Sequence, residues 1–198
     1  MPKTIPIADD VRRANAAADA EPPPHLTWCE RRNRFRSRLQ ERPLPSVGGD
    51  EVDVHFAGMP SHYWEQVNEG DLAWALETIH SFLEMIASPD TPGTMPRVTW
   101  RQEPEEWQTR VMLCSWDRRG LLAKCAACFS TVKLNILQAD AYTCADNHQD
   151  VAHDTFHVTD DCGQKIVDPH QLEQLRATIE SALSVTEPLI SSHVKPGC

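Results

Sequence analysis

The fold is decided by residues 111 to 143, which read "VMLCSWDRRGLLAKCAACFSTVKLNILQADAYT". The continuous apolar run from Val111 to Cys114 predicts a strand that is buried on both faces. Gly120 to Lys133 has the spacing of an amphipathic helix, and "LNILQADAYT" predicts a second strand. The charged turn "DRRG" separates the first strand from the helix. The segment therefore predicts a strand, a tight turn, a helix and another strand.

One side of the predicted helix is apolar, and two cysteines lie on it. Its members are Leu121, Leu122, Cys125, Cys128, Phe129 and Val132. Because these positions recur at steps of three and four residues, we expect all six side chains to face the core, with the cysteines as small core residues.

The residues that follow complete a regular order of elements. "VAHDTFHVTD" (residues 151 to 160) predicts a third strand, and "DCGQKIVD" predicts a loop or short hairpin. Asp168, Pro169 and Gln171 predict a helix start, with a cap, a proline at the first position and a capping-box partner. The face of that helix is Leu172, Leu175, Ile179 and Leu183.

"VTEPLISS" (residues 185 to 192) predicts a short last strand, which Pro188 restricts to an edge. The order strand, helix, strand, strand, helix, strand is typical of an α+β fold. We therefore expect an antiparallel sheet with both helices on one face, the ferredoxin-like βαββαβ arrangement.

A separate amphipathic helix is predicted upstream of the sheet. Its apolar positions are Leu72, Leu76, Ile79, Leu83 and Ile86. Asn68 or Asp71 is available as its N-cap, and the proline-rich connector "SPDTPGTMP" ends it. "RVTW" (residues 97 to 100) then resumes extended character.

Residues 1 to 50 show no apolar period long enough to bury a face, and we expect a flexible tail. The arginine-rich segment 31–42 has two interpretations, a solvated or briefly helical linker and an arm that binds nucleic acid or a protein. The predicted organisation is a tail (1–50), a leading segment with the amphipathic helix (51–96), the sheet domain (97–190) and a flexible C-terminus (191–198).

Charge and composition limit the partners that this chain can have. The 198 residues carry a formal charge of -10, and residues 51 to 198 hold 22 of the 29 acidic side chains but 10 of the 19 Lys and Arg. An acidic body repels nucleic acid and anionic membranes, so neither is expected as a partner. No apolar run approaches a membrane span and the N-terminus lacks signal-peptide order. Seven cysteines, an odd number, fit reduced thiols, and we expect a cytoplasmic protein.

Ten residues around the turn, the second strand and the third strand carry a family resemblance. They are Asp117, Arg118, Gly120, Leu121, Asn135, Ile136, Phe156, Val158, Thr159 and Asp160. Their pattern resembles the ACT domain, a small regulatory module that binds amino acids, over about Trp107 to Leu183. Arg119 stands where the family usually has proline, so the turn is expected to be less rigid here.

A narrower resemblance lies upstream, in "VHFAGMPSHYW" (residues 54 to 64) and the helix after it. This segment is similar to the one that leads into the C-terminal ACT domains of bacterial protein-PII uridylyltransferases, which are nitrogen sensors. The nucleotidyltransferase and phosphohydrolase domains of that family are not visible in this sequence. The resemblance therefore implies a regulatory module of nitrogen metabolism with no catalytic residue and no cofactor of its own.

The resemblance also implies where an amino acid binds, at an interface between two ACT units. The turn of one unit and the start of the second strand of its neighbour form the site, so a homo-oligomer or a pair of ACT domains is expected. The residues of this chain at those positions are Asp117, Arg118, Arg119, Gly120, Leu121, Asn135 and Ile136.

The chemistry of these residue types agrees with such a site. A helix N-terminus after Gly120 suits a ligand carboxylate, Asp117 suits an ammonium group, and Arg118 or Arg119 adds positive charge. The amide of Asn135 suits a polar side chain such as that of glutamine, the favoured ligand. Two simpler interpretations stay open: Asp117 and Gly120 only cap and turn the chain, or the domain only mediates assembly through its sheet edge.

Two other motifs suggest different chemistry. Cys125 and Cys128, with Cys144 and His148, have a superficial zinc-ligand spacing, but two of them lie on an apolar helix face, so no metal is expected. The His153-Asp154 pair spells a phosphohydrolase motif, but adjacent residues of a strand point to opposite faces, so the match is a coincidence.

Overall fold

The computed structural model describes residues 26 to 145 and 150 to 184, and within those ranges it contains six helices and four strands. The elements are α1 (Trp28–Glu41), α2 (Gly49–Gly58), α3 (Ser61–Gln66), α4 (Glu69–Ala87), β1 (Arg97–Arg101), β2 (Thr109–Trp116), α5 (Leu121–Thr131), β3 (Asn135–Cys144), β4 (Val151–Thr159) and α6 (Pro169–Ser184). None of the helices in these ranges has the length and apolar character that a membrane span needs. The chain forms two compact units, and the division between them falls inside α4, between His80 and Ser81.

The flexible tail expected for residues 1 to 50 is wrong for α1 and for the start of α2. Thr27 and Glu30 form a capping box at the start of α1, which supplies acceptors for N–H groups that the helix leaves unpaired. Phe35 is buried, so this helix has an inward face although its sequence shows little apolar period. Residues 1 to 25 lie outside the described residues.

Three arginines of α1 contact other residues of the first unit, so the solvated-linker interpretation is wrong for those side chains. The binding-arm interpretation stays a prediction. Arg31 donates from Nε to the carbonyl of Trp64 at 2.7 Å and from a terminal nitrogen to the carbonyl of Val67 at 2.9 Å. Arg36 pairs with Asp53, and Arg38 pairs with Glu69. The arginine-rich segment is therefore held in place by polar contacts between helices.

Aromatic side chains form the interior of the first unit. Trp64 lies at its centre, with ring centroids 4.6 Å from Phe56, 5.0 Å from Tyr63 and 6.5 Å from Phe35. His55 is also buried and shares a hydrogen bond of 3.1 Å with the Tyr63 hydroxyl. Tilted and edge-on ring contacts of this kind stabilise a core beyond their buried area.

The predicted upstream helix is confirmed as α4. Asn68 caps it, because its Oδ1 accepts a hydrogen bond from the backbone N–H of Asp71 at 2.8 Å. Leu72 and Leu76 are buried as the spacing predicts. The helix continues into the second unit, where Phe82 packs edge-on against Trp116 with ring centroids 5.2 Å apart.

The second unit is built on a four-stranded antiparallel sheet with the order β1-β2-β4-β3. The structure thus confirms the α+β class. β2 is central, as its two-sided burial predicts, and it pairs with β1 on one side and β4 on the other. The expected last strand (185 to 192) lies outside the described residues, and the edge of β2 away from β4 is paired with β1 instead.

Both helices of this unit pack on one face of the sheet. The core on that face contains Val111 and Leu113 of β2, Phe156 and Val158 of β4, and the apolar faces of α5 and α6. On the other face, Met112, Cys114 and His153 are buried as well. The alternation along each strand therefore produces two buried faces, and adjacent residues lie on opposite sides of the sheet.

Left-handed residues mark both ends of α5. Gly120 is the N-cap with φ 80°, and Lys133 follows the helix with φ 57°. At the C-terminal end, the N–H groups of Lys133 and Leu134 donate to the carbonyls of Ser130 and Phe129, the pairing of a Schellman motif. This motif stops the helix and directs the chain into β3.

Two details of the helix predictions are wrong. Leu122 is 44% exposed, because its position on α5 points away from the sheet and from α6. Asp168 does accept from the N–H of His170 at the start of α6, but the Gln171 amide donates to the carbonyl of Val132 at 3.4 Å and takes no part in a capping box. Tertiary contacts decide both positions.

Candidate functional site

The turn between β2 and α5 has an unusual helix start. Gly120 is the N-cap and has no side chain with which to accept hydrogen bonds from the first helical turn. Its left-handed φ of 80° is costly for any residue with a Cβ, although there is open space where a Cβ would lie. The helix N-terminus is therefore open to an anionic group, and only its backbone and dipole supply the attraction.

Asp117 does not cap the helix, which removes the simplest structural interpretation of this residue. Its backbone N–H donates to the carbonyl of Asp150 at 2.8 Å and so extends the pairing of β2 with β4. Its carboxylate Oδ2 accepts from the hydroxyl of Thr143 on β3 at 3.0 Å. The side chain is exposed at the end of the sheet, where a ligand can reach its second oxygen.

The other turn residues divide into exposed and anchored groups. Arg119 is exposed. Arg118 is half-buried and donates to the carbonyl of Leu183 at 2.6 Å, which ties the turn to the end of α6. The side chain of Leu121 is buried in the core, and its backbone N–H donates to the carbonyl of Arg118 at 3.1 Å, so neither group is free to bind a ligand.

Asn135 and Ile136 lie at the opposite end of β3 from the turn. β3 runs from Asn135 to Cys144, and Thr143, beside Asp117, is near its far end. At about 3.3 Å per residue, the two groups are roughly 25 Å apart within one chain. Asn135 donates its amide to the carbonyl of Asp160 at 2.8 Å, and Ile136 packs against the core. One chain therefore does not bring all the predicted site residues together.

Asp154, on β4, is a buried acidic residue on the same face of the sheet as Asp117, and the sequence did not predict it as part of a site. Its register pairs it with Leu113 on β2 and Ala141 on β3, on the face that the helices cover. It is 2% exposed, and burial together with the neighbouring charge of Asp117 raises the pKa of its carboxyl from 3.8 to about 7. The backbone N–H of Tyr142 hydrogen-bonds to it. A signal for this residue is present in "VAHDTFHV": Asp154 is an acidic residue at a position that alternates with the apolar residues Ala152, Phe156 and Val158, and so faces the core.

Two buried polar atoms, one on this turn and one on β4, have no hydrogen-bond partner within residues 26 to 145 and 150 to 184. They are the Oδ2 of Asp154 and the Nε of Arg118. Both charges act on the thiol of Cys125, since Asp154 raises and Arg118 lowers its pKa. A buried polar atom without a partner is destabilising, so such atoms require a physical explanation.

The cysteines of the zinc interpretation are separated by the sheet. Cys125 and Cys128 are buried on the inner face of α5, whereas Cys144 pairs with Val151 on the other face of the sheet. Burial, above all, raises the pKa of Cys125 to about 12, which disfavours the thiolate that zinc binds. His148 lies outside the described residues.

His153 and Asp154 point to opposite faces, as their positions in a strand predict. His153 pairs with Cys114 and Tyr142, and the rings of Tyr142 and His153 are 5.5 Å apart. Burial lowers the pKa of His153 to about 4, so this imidazole is neutral at pH 7. The dipeptide thus does not place its two side chains in one site.

Comparisons of this chain with family models, with curated proteins and with solved structures found no match.

Proposed function

We propose that this chain is a regulatory module of the ACT type that binds an amino acid, with glutamine as the favoured ligand. The topology supports the proposal. β2 and β3 are both antiparallel to β4, which lies between them, so they are parallel to each other and joined through α5. This arrangement agrees with the split βαβ that a ferredoxin-like fold would have. β1 holds the second edge of β2, where the βαββαβ order would place its last strand.

The observation that carries the proposal is the uncapped start of α5 beside an exposed carboxylate. The α-carboxylate of an amino acid is complementary to the helix N-terminus after Gly120, and its ammonium group is complementary to Asp117. These two groups are common to all amino acids, so the turn gives class recognition. Glutamine is favoured because Asn135 retains an amide oxygen that can accept from a side-chain amide.

The separation of the two halves supports assembly of a dimer. Asn135 is roughly 25 Å from the turn along its own β3, so a complete site needs the Asn135 of a second copy. β3 is an edge strand, and its Leu137 is 46% exposed. Pairing of β3 edges in two antiparallel copies brings the start of one strand toward the end of the other, and so toward the other turn.

The test is isothermal titration calorimetry of the full chain against the twenty common amino acids, beginning with L-glutamine. We expect saturable binding that weakens in Asp117→Asn and is unchanged in Asp140→Asn. Asp140 is the matched control, because it is an aspartate of the same sheet, on β3, but lies on the other face, beside His157. Absence of a heat or thermal-shift response to every amino acid would refute the proposal.

An assembly domain that binds no ligand is the second candidate function. It is favoured by the edge position of β3 and the exposed Leu137. Light scattering distinguishes the two functions, because an assembly domain forms the same oligomer with and without amino acids. Leu137→Lys is then expected to dissociate the oligomer, whereas Leu122→Lys, an exposed leucine on α5, leaves it intact.

A further inference from the structure

We infer that Asp154 is a second acidic residue of the proposed amino-acid site, which acts with Asp117 to bind the ligand's ammonium group and releases a proton when that group binds. This inference rests on the proposed function and adds to it a residue, a charge requirement and a pH dependence. It stands on the placement of the two carboxyl groups and of the buried atoms that lack partners beside the turn.

The first step is the position of the two carboxyl groups. Asp117 and Asp154 lie on the helix face of the sheet. Asp117 follows the end of β2 and pairs with Asp150, whereas Asp154 lies four residues further along β4, opposite Leu113. Asp154 is close enough for the negative charge of Asp117 to oppose its ionisation. Asp117 uses one oxygen for Thr143, and in the described chain the Oδ2 of Asp154 accepts no hydrogen bond. An ammonium group has three N–H donors and no acceptor, which suits such a pair.

The second step is the matching donor on the same turn. The Nε of Arg118 is buried and, like the Oδ2 of Asp154, has no partner in the described ranges. One terminal nitrogen of this guanidinium is fixed on the carbonyl of Leu183. A free amino acid carries one anionic and one cationic group on neighbouring atoms. The turn and β4 therefore supply one unused cationic donor (Arg118) and one unused acidic acceptor (Asp154) for a zwitterion, besides the helix N-terminus.

The third step is the proton. Besides burial, the charge of Asp117 opposes ionisation of Asp154, and the backbone N–H of Tyr142 favours it. The thiols of Cys114 and Cys125 are near enough that Asp154 raises their pKa, and Arg118 lowers the pKa of Cys125. In the free protein, burial and Asp117 hold the Asp154 pKa at about 7, so both forms are populated at neutral pH. A bound ammonium group attracts the ionised form, and the carboxyl proton then passes to the buffer. The ammonium group keeps its own protons.

The affinity should therefore rise with pH. If only ionised Asp154 binds the ammonium group well, the observed affinity scales with the ionised fraction and increases about tenfold between pH 6 and pH 8. A site that uses only Asp117 and the helix N-terminus would not show this rise in affinity between pH 6 and pH 8.

The experiment is calorimetry of the full wild-type chain with L-glutamine at pH 6, 7 and 8, in buffers of low and high ionisation enthalpy. If another amino acid binds and glutamine does not, the same series is run with that amino acid. We expect a buffer-dependent heat that reports release of part of a proton at pH 7, together with the tenfold rise in affinity. N-acetyl-L-glutamine, which lacks the positive charge, is expected not to bind.

Variants assign the proton to its residue. Asp154→Asn is expected to weaken binding at pH 8 by roughly tenfold or more, the effect of losing a hydrogen bond to a charged group, and to abolish both the pH dependence and the proton release. Asp140→Asn keeps all three properties. Circular dichroism verifies that each variant is folded, and if Asp154→Asn does not fold, the proton count of the wild-type protein decides.

The outcomes separate the two proposals. Binding of an amino acid with equal affinity at pH 6 and pH 8 and no proton release overturns the role of Asp154 and leaves the proposed function intact. Unchanged affinity in a folded Asp154→Asn variant does the same. Failure of every amino acid to bind at every pH overturns both.

Discussion

Replacement of Asp154 by asparagine should change how the stability of the protein depends on pH, whether or not a ligand binds. The folded protein raises the pKa of this carboxyl from 3.8 to about 7, through burial first and the charge of Asp117 second. The folded state therefore holds a proton that the unfolded state has lost between these pH values. Stability is greatest below the lower value and falls as pH rises to the higher one.

The magnitude follows from the size of the pKa change. The folded and unfolded pKa values differ by about three pKa units, and each unit corresponds to about 1.36 kcal/mol. The unfolding free energy of the wild type therefore falls by about 4 kcal/mol between pH 4 and pH 8 through this group. Asparagine keeps the shape and an acceptor for the Tyr142 N–H but does not titrate. The unfolding free energy of Asp154→Asn minus that of the wild type should therefore rise by about 4 kcal/mol over this range.

The pH dependence of the wild-type protein alone does not isolate Asp154, because His153 also titrates in this range, so the wild type has to be compared with Asp154→Asn. Its pKa is about 4 in the folded protein and 6.5 ordinarily, so the unfolded state takes up a proton first as pH falls. His153 thus loses about 3 kcal/mol of stabilisation as pH falls from 6.5 to 4, which opposes the effect of Asp154. Because both proteins contain His153, its contribution cancels in the difference.

The assay is urea unfolding followed by tryptophan fluorescence at half-unit steps from pH 4 to pH 8. Asp140→Asn is the control, since Asp140 lies on the other face of the sheet and is only partly buried. A difference between Asp154→Asn and wild type that varies by less than about 1 kcal/mol over the range would refute the reasoning, because it would mean that burial does not disfavour ionisation of Asp154.

Three further changes test how the structure is stabilised. Two substitutions test the left-handed positions that flank α5, with urea unfolding as the assay. Gly120→Ala should lower the unfolding free energy by about 1–2 kcal/mol, and Lys133→Gly should raise it by up to about 1 kcal/mol. If both variants changed the unfolding free energy in the same direction, the positive φ angles at these positions would be contradicted. Arg31→Ala should cost about 2 kcal/mol, since two backbone carbonyls lose a charged donor, whereas Arg36→Ala, which breaks an exposed ion pair, should cost less than about 1 kcal/mol. Iodoacetamide at pH 8 should leave Cys125 unmodified in the native protein and label it in urea, as peptide mass spectrometry reports; rapid native labelling would show that this thiol is accessible.

Local patterns were sufficient to predict most elements of the second unit. The apolar run of β2, the alternation of β4 and the leucine spacing of α6 each predict the observed element, because the period of a pattern and the cap residues act within a few positions. The same patterns failed for α1. Its helix depends on buried Phe35 and on contacts that Arg31 makes more than thirty residues away, which no local window contains.

The candidate site was predicted in part. The sequence located the turn and its Gly120, because a glycine between a strand and a helix is a local signal, whereas the left-handed φ of this glycine comes from the structure. It did not indicate that Asp117 bonds to Thr143, that Arg118 bonds to the end of α6, or that Asp154 is buried beside them.

The sequence by itself determined the α+β class and the order of the elements from α4 to α6, because periodicity and capping depend on neighbours along the chain. Only the tertiary structure decided that β1 pairs with β2, and that Asp154 loses its solvent next to the charge of Asp117. Strand pairing and desolvation depend on residues that are distant in sequence. The physical reason is that burial and electrostatic fields are properties of the packed chain, and the ionisation of a carboxyl group responds to both.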